Sequence, residues 1–392
     1  MQNKWTDIFA LSQFGIGSTK IPYGERTARI IINNYLTGDG IRITLANRFG
    51  AHTVPIDKAS VAPCDKEGAL KGPATAITFA GKEGALIGGY SSIQSDEVDC
   101  EIKEGYLAIN LLFGKGARLN SANMLREKVI LSPKGDYTDV RQFADANRFA
   151  DKLISMGFKL MKSERCDIIP ALECVSVRSA EKCVIAFGDS ITQGGLWSYR
   201  LAQRLSRPVL NLSIGGNRLI YDCTNLPLLH GIFGKSALSR FEKDVLERNN
   251  AAALIIELGT NDIGAPGSPA APKRESVSAS QIIEGFKTII AKAKQKGLAV
   301  FICTLPPFKG YRMGYLEGSE QKRQEVNAWI RACEGFDGCF DFDNSIKDEK
   351  NPEIISLPYD SGDHLHPSDS GSRKMADDMA LEALKAVITN GK

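Results

Sequence analysis

Residues 184–192 read Val-Ile-Ala-Phe-Gly-Asp-Ser-Ile-Thr, a short unbroken apolar run that stops at a glycine and continues into polar side chains. Such runs are typical of strands buried on both faces of a parallel sheet. Comparable apolar runs recur downstream at 209–214, 254–258, 299–305 and 340–342. Helical patterns separate them. The alternation predicts a βαβ architecture with right-handed crossovers.

The segments between these runs carry apolar residues at helical spacing. Trp197, Leu201 and Leu205 share one face, and Ile282, Phe286 and Ile289 share another. Ser368 is a plausible N-cap for a final helix that we expect to end near Thr389.

Upstream of residue 179 the pattern is different. Two β-rich runs, 29–36 and 41–49, flank the turn Thr37-Gly-Asp-Gly40 and predict a hairpin. Further short strands are expected at 76–80, 91–95, 106–113 and 174–177. Their spacing favours a β-sandwich or jelly roll. We therefore predict two domains, a β-domain over 1–178 and an α/β domain over 179–392.

The composition excludes several classes of protein. The 392 residues are 43% hydrophobic and carry a net charge of only +3, so a disordered chain and a nucleic-acid or anionic-membrane partner are not expected. No signal peptide or long apolar span is evident, which favours the cytoplasm. The nine cysteines, an odd number, are expected to be reduced. With four scattered histidines we expect no metal site.

Polar motifs follow the predicted strands, where ligands of such sheets bind. They are Gly188-Asp189-Ser190, Gly215-Gly216-Asn217, Gly259-Thr260-Asn261-Asp262 and Asp363-His364-Leu365-His366-Pro367. Each has a structural alternative: the serine can cap a helix, the glycines and Asn261 can form turns, and the last motif can be a surface loop. All four together, in this order, are difficult to explain as turns.

The four motifs resemble the blocks of the SGNH (GDSL-type) hydrolases: the nucleophile block at 187–192, the glycine block at 214–217, the asparagine block at 259–262 and the final block at 363–367. The resemblance implies a three-layer α/β/α, flavodoxin-like domain. Gly215 departs from the family pattern, in which many members carry serine. The N-terminal half, with 42–50, also resembles the β-domain of a two-domain bacterial branch.

The resemblance implies esterase chemistry without a cofactor. Ser190 is the expected nucleophile, His366 its base, and Asp363 the residue that orients the imidazole. His364 competes with His366, but His366 precedes Pro367 and stands three residues after Asp363. The implied oxyanion donors are the backbone N–H groups of Ser190 and Gly216 and the side-chain amide of Asn261.

The leading substrate is a short acyl ester, an acetyl group on a carbohydrate, by analogy with similar two-domain proteins. Tyr311, Tyr315 and Trp197 are candidates to stack on a sugar ring, with core or loop packing as the alternative. Arg218 is a further substrate-binding candidate, with a surface salt bridge as its alternative. A general carboxylesterase or lysophospholipase is the rival enzyme, and a dead glycan-binding protein the rival without activity. The oligomeric state stays open.

Overall fold

The computed structural model describes residues 5–17, 20–146, 167–223 and 231–390. The chain forms two compact units; the first ends at Glu181 and the second begins at Lys182. The domain boundary expected from the sequence, between 178 and 179, falls just before this point.

The first unit is built from short and medium strands. They are β1 (Trp5–Ala10), β2 (Phe14–Gly15), β3 (Ile21–Pro22), β4 (Arg26–Asn34), β5 (Gly38–Asn47), β6 (Val54–Cys64), β7 (Thr75–Ile77), β8 (Ala85–Ile87), β9 (Ser91–Gln94), β10 (Val98–Ile102), β11 (Gly105–Phe113), β12 (Arg118–Leu119), β13 (Ser121–Ala122), β14 (Met124–Leu125), β15 (Lys128–Lys134), β16 (Asp167–Ile168) and β17 (Leu172–Arg178).

Two antiparallel sheets make up most of this unit. One has the order β1-β17-β5-β10, with β9 also pairing β5; the other has the order β15-β4-β11-β6-β7, with β8 also pairing β6. Ile30 and Ile109 of the second sheet and Ile43 and Val175 of the first belong to one buried apolar cluster. The predicted β-sandwich is confirmed, because both sheets bury their inner faces in a shared core.

The predicted hairpin at 29–49 is wrong. Both runs are strands, but β4 pairs with β11 and β15, whereas β5 pairs with β10, β17 and β9. Between them Leu36 is buried, and the side chain of Asn34 bonds both the N–H and the C=O of Leu36. The polar turn that suggested a hairpin therefore carries the chain from one sheet to the other.

The second unit alternates strands and helices. The strands are β18 (Cys183–Gly188), β19 (Val209–Ser213), β20 (Ala251–Glu257), β21 (Ala299–Cys303) and β22 (Gly338–Phe340). The α-helices are α1 (Ser190–Gln193), α2 (Trp197–Leu205), α3 (Ala237–Phe241), α4 (Thr260–Gly264), α5 (Ala279–Gln295), α6 (Ser319–Ala332), α7 (Phe342–Ile346), α8 (Asp369–Asp377) and α9 (Glu382–Asn390).

The five strands form a parallel sheet in the order β19-β18-β20-β21-β22. This is the doubly wound order in which the first strand lies at the switch point. Trp197 and Leu201 of α2 and Met375 of α8 are buried in the same cluster as the strand residue Val184. The α/β architecture predicted from the apolar runs is confirmed.

The predicted single helix from Ser368 to Thr389 is two helices. Ser368 does cap α8, since its hydroxyl accepts the N–H of Gly371. The helix ends at Asp377, and Met379 and Leu381 are buried before α9 begins. Residues two apart do not share a face of a helix, so burying both Met379 and Leu381 is met by a break between α8 and α9.

Candidate active site

The turn from β18 into α1 places Ser190 at the carboxyl end of the sheet. A Cβ atom at Gly188 would lie 2.1 Å from the Thr192 hydroxyl and 2.9 Å from the carbonyl of Glu257, so only glycine fits there. Asp189 then caps the helix, because its Oδ1 accepts the N–H of Ile191 at 3.0 Å. Ser190 is the first residue of α1 and remains partly exposed.

Ser190, His366 and Asp363 form a continuous hydrogen-bonded chain. Nε2 of His366 lies 2.9 Å from Oγ of Ser190, and Nδ1 lies 2.6 Å from Oδ2 of Asp363. The carboxylate thus fixes the tautomer in which Nδ1 carries a proton and Nε2 can accept one. Residues 176 positions apart in sequence meet here in the geometry that activates a serine nucleophile.

Asp363 is held as an anion. Its Oδ1 accepts the N–H groups of Leu365 and His366 at 3.0 and 2.8 Å, and the hydroxyl of Ser361 at 3.0 Å. Partial burial alone would raise the pKa of Asp363. The hydrogen bond and charge of His366, with the backbone donors, outweigh it and hold the pKa well below its ordinary value.

The neighbouring His364 does not reach Ser190; it pairs with a different carboxylate. Its Nδ1 lies 2.7 Å from Oδ2 of Asp360, while its ring is about half exposed. His364 adopts a φ of 65°, a left-handed conformation that is uncommon outside glycine. Of the two competing histidines, His366 is the one placed to act on the serine.

The backbone N–H groups of Ser190 and Gly216 are the two predicted backbone oxyanion donors. Gly216 has a φ of 70°, and a Cβ atom there would lie 2.5 Å from the ring of Phe233. Within the described ranges, no backbone carbonyl or side chain accepts the N–H of Ser190 or of Gly216. Both N–H groups are therefore free to bind an oxyanion, and their role as oxyanion donors stays a prediction.

The third predicted donor is already engaged. Nδ2 of Asn261, in the first turn of α4, donates to Oδ2 of Asp189 at 3.0 Å and to the carbonyl of Asn217 at 3.2 Å. A primary amide has two N–H groups, so both are used. Donation to an oxyanion requires the exchange of one of these bonds, and the bond to Asn217 is the longer.

Residues 186–374 match the family of GDSL-like lipases and acylhydrolases. The C-terminal domain belongs to this family. It is an ester hydrolase domain, preceded in the chain by the antiparallel β-domain. No curated protein sequence matches the chain.

Solved structures similar to the chain have low identity. One is a GDSL-like lipase from Bacteroides thetaiotaomicron, at 19% identity and a TM-score of 0.40, with 52% of this chain and 89% of that chain covered. Another is a carbohydrate acetylesterase family member from Sinorhizobium meliloti, at 15% and 0.40, with 53% and 99% covered. A third is an acetyl xylan esterase, at 20% and 0.37, with 50% and 97% covered.

Asp262 anchors the glycine loop of the GDSL domain, a role that the sequence analysis missed. Its carboxylate accepts the N–H groups of Leu219 and Ile220 at 2.7 and 3.0 Å. Burial raises the pKa of Asp262 to about 6, although these hydrogen bonds and the charge of Arg218 act in the opposite direction. Asp262 of the asparagine block therefore holds the conformation of the loop that carries Gly216.

Arg240 ties two strand ends to the same loop. The fully buried guanidinium lies 4.1 Å from the centre of the Phe187 ring. It donates to the carbonyls of Gly188 and Leu212 and to Oδ1 of Asn217, at 3.1, 2.9 and 3.0 Å. No motif marks Arg240 in the sequence, because its partners are distant along the chain.

The residues predicted to bind substrate have different surroundings. Arg218 is buried, with Nη1 2.7 Å from Oε2 of Glu275 and Nη2 donating to the carbonyl of Asp222, so its alternative, an ion pair, is observed in buried form. Trp197 is fully buried and offers no face to a ligand, which makes its predicted stacking role wrong.

Tyr311 and Tyr315 lie in the segment after β21. Both are partly exposed, and Tyr315 packs edge-on against Phe308, with ring centres 5.4 Å apart. Burial, then the charge of Asp363, raises the pKa of Tyr311. Among the described residues, no group of three or more metal-binding side chains is assembled.

Proposed function

We propose that this enzyme hydrolyses carboxylic esters through an acyl–Ser190 intermediate. The observation that carries the proposal is the Ser190–His366–Asp363 chain, with contacts of 2.9 and 2.6 Å. Oγ of Ser190 attacks the ester carbonyl while its proton passes to Nε2 of His366. The resulting imidazolium is stabilised by ionised Asp363.

Collapse of the tetrahedral intermediate expels the alcohol, which takes the proton from Nε2 of His366. A water molecule then attacks the acyl–Ser190 ester, gives its proton to His366, and the acid leaves as Oγ recovers that proton. In acylation and in deacylation, the oxyanion of the tetrahedral intermediate is stabilised by the N–H groups of Ser190 and Gly216. Asn261 joins them after it exchanges its bond to the carbonyl of Asn217. The residues named here perform every proton transfer without a cofactor.

We propose a short acyl ester, an acetyl group on a carbohydrate, as the substrate. Tyr311 supports this proposal, since a partly exposed aromatic ring in a segment that lies against the catalytic loop offers an apolar face to a sugar. The segment that carries it lies against the catalytic loop: a Cβ atom at Gly310 would be 3.2 Å from the ring of His364.

A longer acyl chain is the second candidate. Met313 and Leu316, on the same segment as Tyr311, are 57% and 49% exposed. Exposed apolar side chains close in sequence to a binding residue favour an apolar ligand. This observation supports the carboxylesterase or lysophospholipase alternative.

A substrate panel separates the two. Rates with p-nitrophenyl esters of increasing chain length are compared with mass-spectrometric deacetylation of acetylated xylo- and manno-oligosaccharides. We expect acetyl transfer to water from the oligosaccharides to outpace octanoyl hydrolysis. Unchanged oligosaccharides together with rapid octanoyl cleavage would reject the carbohydrate substrate.

The variant Tyr311→Ala tests the sugar-stacking role, with Tyr106→Ala as control, since Tyr106 is exposed on β11 of the other unit. Tyr311→Ala should raise KM for the acetylated oligosaccharide by roughly tenfold, in line with the loss of one aromatic contact. KM for p-nitrophenyl acetate should stay unchanged. Equal effects on both substrates would mean that Tyr311 only supports the triad.

A further inference from the structure

Two carboxyl groups lie side by side under the nucleophile, and both are fully buried. They belong to Asp189, which precedes Ser190, and to Glu257, the last residue of β20. Strand pairing places Glu257 next to Gly188, and both carboxyl groups accept hydrogen bonds from the first turn of α1, Asp189 from Ile191 and Glu257 from Thr192, so the two groups are neighbours. Two carboxylates cannot both be ionised at such close range without water.

The remaining contacts show which carboxyl should carry the proton. Asp189 is supplied with donors: the N–H of Ile191 and the amide of Asn261, both at 3.0 Å. Glu257 receives the hydroxyl of Thr192 at 2.9 Å through Oε2, and the backbone N–H of Asp189 also favours its anion; its buried Oε1 has no partner at hydrogen-bonding geometry among the described residues. An anion is favoured where donors and positive charge converge, so Asp189, which has the charges of His366 and Arg240 nearby, is the anion and Glu257 the acid.

The charges around the pair agree with this assignment. Cys303, on the neighbouring strand β21, is close to Glu257 and brings no positive charge. The positive charges of Arg240 and His366 favour the ionised form of Asp189, whereas the negative charge of Asp262 disfavours it. Burial, and next the charge of Asp189, raises the pKa of Glu257 well above its ordinary value; burial raises the pKa of Asp189 to about 6.

We propose that Glu257 is a positioning residue, which in its protonated form donates a hydrogen bond to Asp189 and so holds the Asn261 amide ready for the oxyanion. The expected effect on kcat rests on the proposed esterase function. The protonation of Glu257 and its hydrogen bond to Asp189 do not. The link runs from Glu257 through Asp189 to Asn261, and none of the three is the nucleophile or the base.

In this arrangement Asp189 keeps one amide hydrogen of Asn261 throughout the reaction. The other, now on the carbonyl of Asn217 at 3.2 Å, is released to the oxyanion. Loss of the Glu257 donor would leave Asp189 under-satisfied and free to compete for that second hydrogen. The expected consequence is a lower kcat with little change in KM, since the ground state makes no use of the released bond.

The first test compares Glu257→Gln with Glu257→Met, using p-nitrophenyl acetate. Glutamine copies the protonated acid, because its amide donates to Asp189 and its oxygen accepts from Thr192. We expect kcat of Glu257→Gln within about threefold of the wild type, and kcat of Glu257→Met lower by roughly 10- to 100-fold at similar KM, within the range for a lost oxyanion donor. A glutamine variant as impaired as the methionine variant, or a fully active methionine variant, would overturn the proposal.

The second test needs no activity and uses the Ser190→Ala background. A carboxyl whose folded pKa is raised stabilises the fold below its unfolded pKa, and that contribution is lost as pH rises towards the folded pKa. Glutamine does not titrate. The Tm of Glu257→Gln relative to Glu257 should therefore increase from about pH 5 to about pH 9.

A Tm difference that does not change with pH would overturn the shared proton even if Glu257→Met did not fold. The failure of the esterase proposal would look different: Ser190→Ala would retain activity, while the pH dependence of Tm would be unaffected.

Discussion

His364 and His366 stand two residues apart, and each pairs with its own aspartate. Only His366 contacts Ser190. We expect His366→Ala to lower kcat by several orders of magnitude, and the double variant with Ser190→Ala to be no worse than either single one, because the residues act as a unit. His364→Ala is the matched control and should keep kcat within about tenfold of the wild type. The reverse order of these effects would assign the base to His364.

Asn261 is the residue at which the structure adds most to the sequence prediction. Asn261→Ala should lower kcat by roughly 10²–10³, the loss typical of one oxyanion donor, and leave KM nearly unchanged. Steady-state kinetics with p-nitrophenyl acetate measure both parameters. A change confined to KM would mean that Asn261 binds the substrate rather than the transition state.

The triad residues and Gly216 could be predicted from the four motifs and the family resemblance that they carry, and the structure joins Ser190, His366 and Asp363 by hydrogen bonds. Glu257 could not be assigned a role in this way, although a charged residue in the apolar run 254–258 is unusual. Its partners, Asp189 and Thr192, come from another strand and helix. A buried polar group is stabilised by contacts across space, and a single sequence does not show them.

Among the secondary-structure elements, the glycine loop depends on α4 for its conformation. Asp262→Asn keeps one acceptor for Leu219 and Ile220 but turns an N–H group towards the other donor. Leaving a buried N–H unpaired costs about 1–3 kcal/mol. We therefore expect a lower Tm together with a lower kcat, because the loop also carries Gly216.

Asp378→Asn is the control for Asp262→Asn, since Asp378 is exposed and its carboxylate pairs with Lys374 at the surface. Both variants are measured by thermal unfolding and steady-state kinetics. Equal Tm and kcat values for the two variants would show that Asp262 does not hold the loop.

The sequence predicted the kinds of element well and their partners less well. Alternating and unbroken apolar runs report how a strand is buried, which is why β4, β5 and β18–β22 were found. The same runs do not report which strand lies alongside, so the turn at 37–40 suggested a hairpin where the chain changes sheets. The break between α8 and α9 was missed because Met375 and Met379, and again Leu381 and Leu384, are each at helical spacing, although the two pairs lie in different helices or their ends.

For the whole molecule, pH should change both activity and Tm through the protonation of active-site residues. Activity should fall at acid pH, because protonated His366 cannot accept the proton of Ser190. Asp363, whose folded pKa is lowered, stabilises the fold above its unfolded pKa of about 3.8, and this contribution disappears as pH falls towards the folded value. Tm of the wild type should thus drop in acid more steeply than Tm of Asp363→Asn. Parallel Tm curves would contradict the ionised Asp363.

The absence of cofactor chemistry is tested on the same preparation. Activity should be unaffected by EDTA, because the proposed proton transfers run between Ser190, His366, the leaving alcohol and water, while ionised Asp363 orients the imidazole. Inactivation by EDTA that added metal restores would contradict the mechanism.

Within the described residues no helix is long and apolar enough to cross a bilayer.

The most direct test of the account is covalent capture of the nucleophile. The full chain is treated with a fluorophosphonate, and the modified residue is located by peptide mass spectrometry while the remaining esterase activity is followed. Activated Ser190 predicts one adduct per chain, on the peptide that contains Ser190, with activity lost in proportion to modification and no labelling of Ser190→Ala. Loss of activity without an adduct at Ser190, or equal labelling of Ser190→Ala, would contradict the central claim.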